Sequence, residues 1–224
     1  MNPPPRVVVG LERCLQSPPD LVRGARFGLL CNQASVDHHF QLADELLAAR
    51  LPGQLRALFG PQHGILSEQQ DNMIETAHAR HPRLPVPVFS LYGEHRKPTP
   101  AMLEGLDLLI VDLQDVGCRV YTYVWTLLYC LEACAARGLP VLVLDRPNPV
   151  GGELIEGAPL DPAFTSFVGL HALPMRHART LGELAQQLNR ERAIGADVHV
   201  LACDGLTPAM TWRDTGRGKK LRRI

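Results

Sequence analysis

One short stretch of the chain, from Leu108 to Arg119, constrains the fold more than any other. It opens with an unbroken apolar run over residues 108–111, which is typical of a strand buried on both faces of a parallel sheet. The run then gives way to polar side chains, among them Asp112, Asp115 and Arg119. Charged residues just past the carboxyl end of a parallel strand lie where open α/β sheets bind their ligands. The stretch therefore predicts both a parallel sheet and a ligand site at its edge.

Buried strands alternate with amphipathic helices along the rest of the chain. Apolar residues recur at helical spacing over Val120–Arg137, and Thr180 with Glu183 forms a capping box that opens a later helix. An earlier helix is expected to be capped by Asp37, with Phe40 facing the core. This alternation predicts an α/β fold, a Rossmann-like three-layer domain with a mainly parallel sheet. The predicted strands cover residues 7–9, 26–31, 55–59, 85–89, 108–111, 140–144 and 198–201.

Length and charge limit the classes of protein to which the chain can belong. At 224 residues it can form one domain with a sizeable core. Because 23 Lys plus Arg balance 23 Asp plus Glu, we expect no basic face and no nucleic-acid partner. No apolar stretch approaches the roughly 20 residues of a membrane helix. Residues 1–6 also lack the apolar segment of a secretory signal, so we expect no membrane partner and a cytoplasmic location.

Polar side chains collect at the ends of four predicted strands. Because the carboxyl ends of parallel strands lie along one edge of a sheet, these side chains can converge on one crevice. Neither a GxGxxG sequence nor a Walker P-loop accompanies them, so we expect no nucleotide cofactor, and no other cofactor is indicated. The four groups are Asn32, Gln62 with His63, Asp112 with Asp115, and Asp145 with Arg146 and Asn148.

Other interpretations of these residues remain open. Asp112 or Asp115 could instead cap the helix that follows, and Arg146 could be a structural partner of Asp145. The three strand-end acids Asp112, Asp115 and Asp145 would also suit Mg²⁺, which gives a metal-assisted hydrolase as a weaker alternative. His177 lies in a loop region, where it could line the site or face solvent.

Longer motifs carry a resemblance to a known family. They are FGPQHGI (59–65), SLYGEHRKPTPAML (90–103), VDLQDVGCRVYTYVWT (111–126), VLDRPNPVGG (143–152), ELIEGAPL (153–160), SFVGL (166–170) and LPMRHARTLGELAQQLN (173–189). With these motifs the chain resembles the exo-β-N-acetylmuramidases, peptidoglycan-recycling glycosidases long described only as a domain of unknown function. The resemblance spans about residues 9–216. It implies a Rossmann-like catalytic domain, a second C-terminal domain and a cleft between them.

The resemblance also implies a substrate and roles for individual residues. The substrate would be a peptidoglycan-derived saccharide or muropeptide, from whose non-reducing end a terminal N-acetylmuramic acid is removed. Glycoside cleavage generally needs a carboxylic acid for the leaving oxygen and a second carboxylate for the water, the sugar or a 2-acetamido nucleophile. Arg119, Arg146 or the pair Arg96–Lys97 could hold the lactyl carboxylate. The predicted catalytic acids are Glu75, Asp112 and Asp115, and the predicted substrate-binding residues are Asn32, Gln62, His63, Arg119, Tyr121, Tyr123, Asp145, Arg146, Asn148, Glu156 and His177.

Gln62 departs from the family pattern. Family members commonly carry Glu at the third position of the motif that is GPQHG here, and an amide cannot transfer a proton as a carboxyl group does. One hypothesis is that another acid acts instead, with Glu68, Asp71 and Glu75 as candidates. The alternative is a non-catalytic domain that binds a muropeptide or amino sugar.

The end of the chain is a second departure. After Gly216 the family usually continues into its second domain, whereas residues 217–224 here are rich in Lys and Arg. We expect residues 1–210 to form the Rossmann-like catalytic domain and residues 211–224 a basic, disordered end of a truncated member that lacks the C-terminal domain. The sequence leaves the activity of such a chain and its oligomeric state open.

Overall fold

A computed structural model describes residues 6–62 and 79–217 of the chain. Within these ranges the strands are β1 (Phe27–Cys31), β2 (Leu55–Gly60), β3 (Ala79–Arg80), β4 (Pro87–Ser90), β5 (Leu108–Asp112), β6 (Val141–Leu144) and β7 (Val198–Leu201). The α-helices are α1 (Gly10–Gln16), α2 (Ala43–Arg50), α3 (Tyr123–Ala135) and α4 (Leu181–Glu191), with 3-10 helices at Ala101–Leu103 and Pro162–Phe164. The strands form one sheet in the order β3-β4-β2-β1-β5-β6-β7, with every pair parallel except β3 and β4. The predicted α/β fold is confirmed.

The central strands are apolar throughout because both of their faces are covered. Along β5, Leu109 and Val111 pack into the core cluster that contains the buried side chains of α3 and α4. The alternate residues Leu108 and Ile110 pack into a second cluster, which contains those of α1 and α2. Each such side chain contributes about 1.5–3 kcal/mol when fully buried. The result is the predicted arrangement of three layers.

The long apolar helix is shorter than predicted. Its sequence predicts a start at Val120, whereas α3 begins at Tyr123 and Val120 is exposed. The loop before α3 does not join the helix because its backbone makes other hydrogen bonds. The Arg119 N–H donates to the Met175 carbonyl at 2.9 Å, and the indole N–H of Trp125 donates to the Arg119 carbonyl at 2.9 Å. The helix that follows the Thr180 capping box, α4, is confirmed together with its cap.

Two predictions near the amino terminus are wrong. Residues 7–9 form no strand, and only Val8 makes an isolated bridge, while the unpredicted helix α1 begins directly afterwards. The Asp37 carboxylate accepts hydrogen bonds from the N–H groups of His39 and Gln41 and so closes a turn rather than capping a helix. Phe40 lies in this turn with φ of 62° and is 50% exposed, so it does not join the core.

The described fold continues past residue 210, where the sequence suggested that the domain ends. The Thr215 carbonyl accepts a hydrogen bond from the Val7 N–H at 3.1 Å. Arg217 is buried and forms an ion pair of 2.9 Å with the buried carboxylate of Glu12 in the first turn of α1. Although burial alone would raise the pKa of Glu12, Arg217 and the hydrogen bond from the Val9 N–H lower it below the ordinary value. Thr215 and Arg217 therefore belong to the folded domain.

The connections of the sheet create a place for a ligand. From β1 the chain passes through α2 to β2 on one side, and it later returns to β5 on the other side of β1. The helices that follow β1 and β5 lie on opposite faces, because α2 belongs to one core cluster and α3 to the other. In open α/β sheets the crevice at such a switch point, outside the carboxyl ends of the strands, is the usual ligand site. In residues 6–62 and 79–217, no helix is long and apolar enough to span a membrane.

Candidate functional site

The four strand ends predicted to meet do lie along one edge of the sheet. They belong to β2, β1, β5 and β6, which are consecutive neighbours. Asn32 follows β1 and Asp112 ends β5, so these two residues flank the switch point. Gln62 and Asp145 extend the row on either side. The predicted alignment is therefore confirmed, and the contacts of each side chain show what the edge can do.

Asp112 and Arg146 form a buried ion pair. Arg146 Nε donates to Asp112 Oδ1 at 2.5 Å and Nη2 donates to Oδ2 at 2.8 Å, a bidentate contact. The arginine and aspartate side chains are 2% and 0% exposed. Arg146 Nη1 also donates to the Val36 carbonyl at 3.0 Å. This geometry favours a structural role, and the catalytic role of Asp112 and the binding role of Arg146 stay predictions.

Asp145 ties the start of α4 to the sheet. Its Oδ1 accepts hydrogen bonds from the Gly182 N–H at 2.8 Å and from the Arg146 N–H at 3.0 Å. Burial raises the pKa of Asp145, and the hydrogen bonds that it accepts offset only part of this effect. A Cβ at Gly182 would lie 2.9 Å from the Asp145 carboxyl carbon, so the close approach requires glycine. Arg146 thus contacts Asp145 through its backbone, while its guanidinium pairs with Asp112.

Asp115 and His177 form a second buried pair. His177 Nε2 lies 3.2 Å from Asp115 Oδ2, which also accepts a hydrogen bond from the Gly117 N–H at 2.6 Å. His177 Nδ1 accepts a hydrogen bond from the Arg179 N–H at 3.2 Å, so Nε2 is the ring nitrogen that faces Asp115. In the described part of the chain, Asp115 Oδ1 and His177 Nε2 are both buried without a hydrogen-bond partner, so the contact between Nε2 and Oδ2 is close but lacks hydrogen-bond geometry. Asp115 therefore does not cap α3, and His177 does not face solvent.

A group of neutral polar side chains occupies the edge beside these charged pairs. We call Asn32, Gln62, Tyr121 and Tyr123 the tyrosine cluster. Asn32 Nδ2 donates to Tyr123 Oη at 2.5 Å, and the two tyrosine ring centroids are 4.5 Å apart. Asn32 and Tyr123 are buried, whereas Gln62 and Tyr121 are partly exposed. Burial, together with the neighbouring Tyr121, raises the pKa of Tyr123, so its phenol is neutral and offers a hydrogen bond rather than a charge.

Gln62 joins the end of β2 to the start of α3. Its Oε1 accepts a hydrogen bond from Thr122 Oγ1 at 2.8 Å, and Thr122 directly precedes the first residue of α3. A carboxylate in this place could accept the same hydrogen bond and would lie near the positive end of the helix dipole. The amide provides the acceptor without a proton that it can transfer. Gln62 in place of Glu therefore removes a group that could transfer a proton but keeps the acceptor for the hydrogen bond from Thr122.

Three other predicted binding residues are engaged in loop contacts. Arg119 Nη1 donates to two loop carbonyls at 3.0 and 2.6 Å. Asn148 Nδ2 donates to a backbone carbonyl at 3.0 Å, and Glu156 forms an exposed ion pair of 2.8 Å with Arg176. These contacts hold the loops that follow β5 and β6, and the binding roles of the three residues stay predictions. The other predicted residues His63 and Glu75, like Glu68 and Asp71, lie outside the described residues.

Two residues that the sequence analysis did not single out complete the edge. Ser35 Oγ accepts a hydrogen bond from the Asn32 N–H at 3.0 Å and donates to the Asp112 carbonyl. Thr122 holds Gln62, as described above. The only sequence signal for Ser35 is its position three residues after Asn32, a spacing at which serine often closes a turn. No spacing or pattern marks Thr122.

The acids proposed for a metal site do not come together. Of the residues in ranges 6–62 and 79–217, one group of three side chains brings metal-ligand atoms within 4.8 Å of one another, and it is the segment Asp37–His39. Asp112, Asp115 and Asp145 form no such group, since Asp112 is bound on both oxygens by its arginine. The acid-cluster argument for Mg²⁺ therefore has no geometric support in this part of the chain.

Comparison with known proteins assigns the chain to a family. The model of the family described as exo-beta-N-acetylmuramidase NamZ, N-terminal, matches residues 27–218. The chain belongs to this family. The matched residues include the charged pairs and the tyrosine cluster, so the NamZ N-terminal family match covers the whole edge described above.

Individual relatives agree with this assignment. The peptidoglycan beta-N-acetylmuramidase NamZ of Bacillus subtilis (strain 168) is 41% identical over 211 residues, which are 94% of this chain and 51% of that protein. A crystal structure of a DUF1343 family protein from Bacteroides fragilis NCTC 9343 has a TM-score of 0.87 and 36% identity, covering 94% of this chain and 53% of the other. A second from the same organism has a TM-score of 0.78 and 31% identity, with 93% and 55% covered. The chain thus spans about half the length of each relative.

Proposed function

We propose that this chain acts in an exo-β-N-acetylmuramidase, a glycosidase that releases terminal N-acetylmuramic acid from the non-reducing end of peptidoglycan fragments. The observation that carries the proposal is the family match over residues 27–218, which includes every described polar residue at the switch point. The 41% identity to the B. subtilis peptidoglycan β-N-acetylmuramidase supports the substrate class. A peptidoglycan-derived saccharide is accordingly the proposed ligand.

The geometry of the edge suits an amino sugar. The tyrosine cluster offers neutral hydroxyl and amide groups that can exchange hydrogen bonds with sugar hydroxyls and a 2-acetamido group. Of the two predicted catalytic acids that the structure describes, Asp112 is bound on both oxygens by Arg146, whereas Asp115 has one oxygen without a hydrogen-bond partner within the described residues. Asp115 is therefore the better candidate for orienting the acetamido group. Glu75 remains the candidate for proton transfer.

A second candidate function is favoured by Gln62. An amide stands where family members commonly carry Glu, and it is held by Thr122 in a way that a binding site can use without catalysis. The rival is thus a domain that binds a muropeptide or amino sugar and does not cleave it. The two proposals share a ligand and differ in turnover.

One assay separates these candidates. Release of N-acetylmuramic acid from a chromogenic muramoside is measured with the whole chain, with and without EDTA. The glycosidase proposal expects turnover that EDTA does not change, and Gln62→Glu is expected to raise it. Gln16→Glu, at an exposed position at the end of α1, is the matched control and should leave turnover unchanged.

Each other outcome selects a different function. Binding of N-acetylmuramic acid without turnover, in both wild type and Gln62→Glu, would contradict the glycosidase and support the binding domain. Turnover that EDTA abolishes would support the metal-assisted alternative. A chain that neither binds nor cleaves these compounds would overturn both proposals.

A further inference from the structure

An arginine stacked on aromatic rings lies beyond β4, outside the four strand ends discussed so far. The guanidinium carbon of Arg96 is 4.4 Å from the centroid of the Phe167 ring and 5.3 Å from that of the Tyr92 ring. Both distances fall within the range of cation–π interactions, which extends to about 6 Å. Arg96 itself is exposed. It is therefore a charged group held against rings while it stays open to solvent.

The rings come from three separate segments of the chain. Tyr92 follows β4, Phe167 lies in the loop between β6 and α4, and Tyr129 belongs to α3. We call these three rings the aromatic platform. Phe167 stacks on Tyr129 with centroids 6.1 Å apart and planes 9° from parallel, and it lies 5.9 Å from Tyr92. Because the rings belong to three segments of the fold, they hold the Arg96 guanidinium against them before an anion binds, which lowers the entropy lost on binding.

Unlike the charges of Arg146 and Lys97, the charge of Arg96 is not neutralised by a carboxylate of the described residues. The guanidinium of Arg146 is saturated by Asp112, and Lys97 forms an ion pair of 2.9 Å with Glu132. Arg119 donates to loop carbonyls. By contrast, no carboxylate of the described residues lies within ion-pair distance of Arg96. Of the cations considered from the sequence for holding a carboxylate, Arg96 is the one whose guanidinium donates no hydrogen bond to the described residues.

The platform begins at the carboxyl edge of the sheet, where the tyrosine cluster lies, and extends from there along α3. Strand β4 is the neighbour of β2 on the side away from β1, and the Leu91 N–H donates to the Gly60 carbonyl at 2.8 Å. Tyr92 therefore leaves the sheet beside the segment that leads to Gln62. Along α3, Tyr129 is six residues after Tyr123, or about 9 Å at 1.5 Å per residue. A saccharide that contacts both the tyrosine cluster and Arg96 must therefore extend from the crevice along α3.

We propose that Arg96, held against the aromatic platform, binds the carboxylate of an acidic sugar whose ring lies at the tyrosine cluster. The planar guanidinium presents paired N–H donors that match the two oxygens of a carboxylate. The inference rests on the proposed function, because it assumes that a saccharide occupies the crevice. It assigns to Arg96 the selection of a carboxylate-bearing amino sugar over one without a carboxylate.

Two sugars that differ by one acidic substituent test this assignment. Binding of N-acetylmuramic acid and of N-acetylglucosamine to the whole chain is measured by isothermal titration calorimetry. A charge-assisted hydrogen bond to the carboxylate predicts a preference of about 10- to 100-fold for N-acetylmuramic acid in the wild type. Arg96→Gln should bring the ratio of the two affinities close to one without changing the affinity for N-acetylglucosamine. Arg96→Lys should keep part of the preference, since it retains the charge but not the planar fork.

The matched control is Arg137→Gln, at an exposed arginine just past the carboxyl end of α3, which lies at the opposite edge of the sheet. It should keep the full preference. Thermal unfolding of Arg96→Gln should match that of the wild type, so that a loss of preference reports on binding rather than folding.

The outcomes distinguish this inference from the proposed function. If the wild type prefers N-acetylmuramic acid and Arg96→Gln keeps that preference, the assignment of Arg96 is overturned while the proposed function stands. Equal affinities of the wild type for both sugars would overturn the assignment in the same way. A wild type that binds neither sugar would overturn both.

Discussion

The charged pairs and the tyrosine cluster share one edge of the sheet, yet their polar atoms are bound in different ways. In the pair Asp112–Arg146, every charged donor and acceptor described above has a partner inside the protein. In the tyrosine cluster, Gln62 and Tyr121 are neutral and partly exposed. A buried ion is costly to leave unpaired, whereas a neutral amide or phenol can exchange a water molecule for a ligand hydroxyl at little cost. The Asp112–Arg146 pair therefore holds the crevice together, and the neutral groups are suited to contact a sugar.

The largest effect is expected when the buried pair is broken. Arg146→Met leaves the Asp112 carboxylate buried without its cation, which should lower the free energy of unfolding by about 3–5 kcal/mol. Chemical denaturation measures this loss. The exposed pair Arg26–Asp107, with side chains 51% and 43% exposed and an N–O distance of 2.7 Å, is the comparison. Arg26→Met should cost much less, because solvent screens an exposed ion pair.

A second variant checks the cause of that loss. In the double variant Asp112→Leu with Arg146→Met no charge is left unpaired, so most of the lost stability should return. Equal losses for Arg146→Met and Arg26→Met would show that the buried pair is not structural. The catalytic interpretation of Asp112 would then regain its basis.

A smaller effect is expected in the tyrosine cluster. Tyr123→Phe removes the acceptor of the Asn32 Nδ2 hydrogen bond of 2.5 Å and leaves a buried amide donor unpaired. This should lower the free energy of unfolding by about 1–3 kcal/mol, and affinity for N-acetylmuramic acid should fall severalfold. Ser17→Ala removes an exposed hydroxyl at the end of α1, away from the cluster and the aromatic platform, and should change neither quantity appreciably. If Tyr123→Phe costs stability but leaves binding intact, the cluster is structural like the charged pairs, and the contrast between the two regions disappears.

The contrast between the two regions could not be predicted from the sequence, although their shared edge could. Apolar runs that end in polar residues identify strands and their carboxyl ends, so the row of Asn32, Gln62, Asp112 and Asp145 followed from local pattern. Which of these side chains is neutralised depends on contacts between distant segments. The partner of Asp112 lies 34 positions away, and the strand-end pattern marks both residues alike as site candidates.

The same limit explains the errors elsewhere in the chain. Arg217 has the same local sequence context as the basic residues that follow it, and only its contact with Glu12, 205 positions away, distinguishes it. Phe40 fits a helical apolar pattern, but the turn closed by Asp37 places it outside the helix. By contrast, the Thr180 capping box is entirely local, and it was predicted correctly.

The smallest effect is expected at Asp145, and its dependence on pH is the sharper test. Asp145→Asn keeps a carbonyl oxygen that can accept from the Gly182 and Arg146 N–H groups, so stability near neutral pH should change by less than about 1 kcal/mol. Burial raises the pKa of Asp145 above its value in the unfolded chain, which is about 3.9. The folded protein therefore binds this proton more tightly than the unfolded chain does. The resulting stability is fully present below the unfolded pKa and is lost as the pH rises through the folded pKa.

Relative to Asp145→Asn, the wild type should thus lose stability as the pH rises from about 4 towards neutrality. Chemical denaturation at a series of pH values measures the difference. Glu12→Gln is the matched comparison with the opposite sign: since the net pKa of Glu12 is lowered, the wild type should gain stability relative to that variant as the pH rises from the lowered pKa to the unfolded value of about 4.3, and should gain no more above it. If the two differences change in the same direction, then the carboxylate of Asp145 is not penalised by burial. The fold would then stabilise the ionised form of Asp145, as it stabilises the ionised form of Glu12.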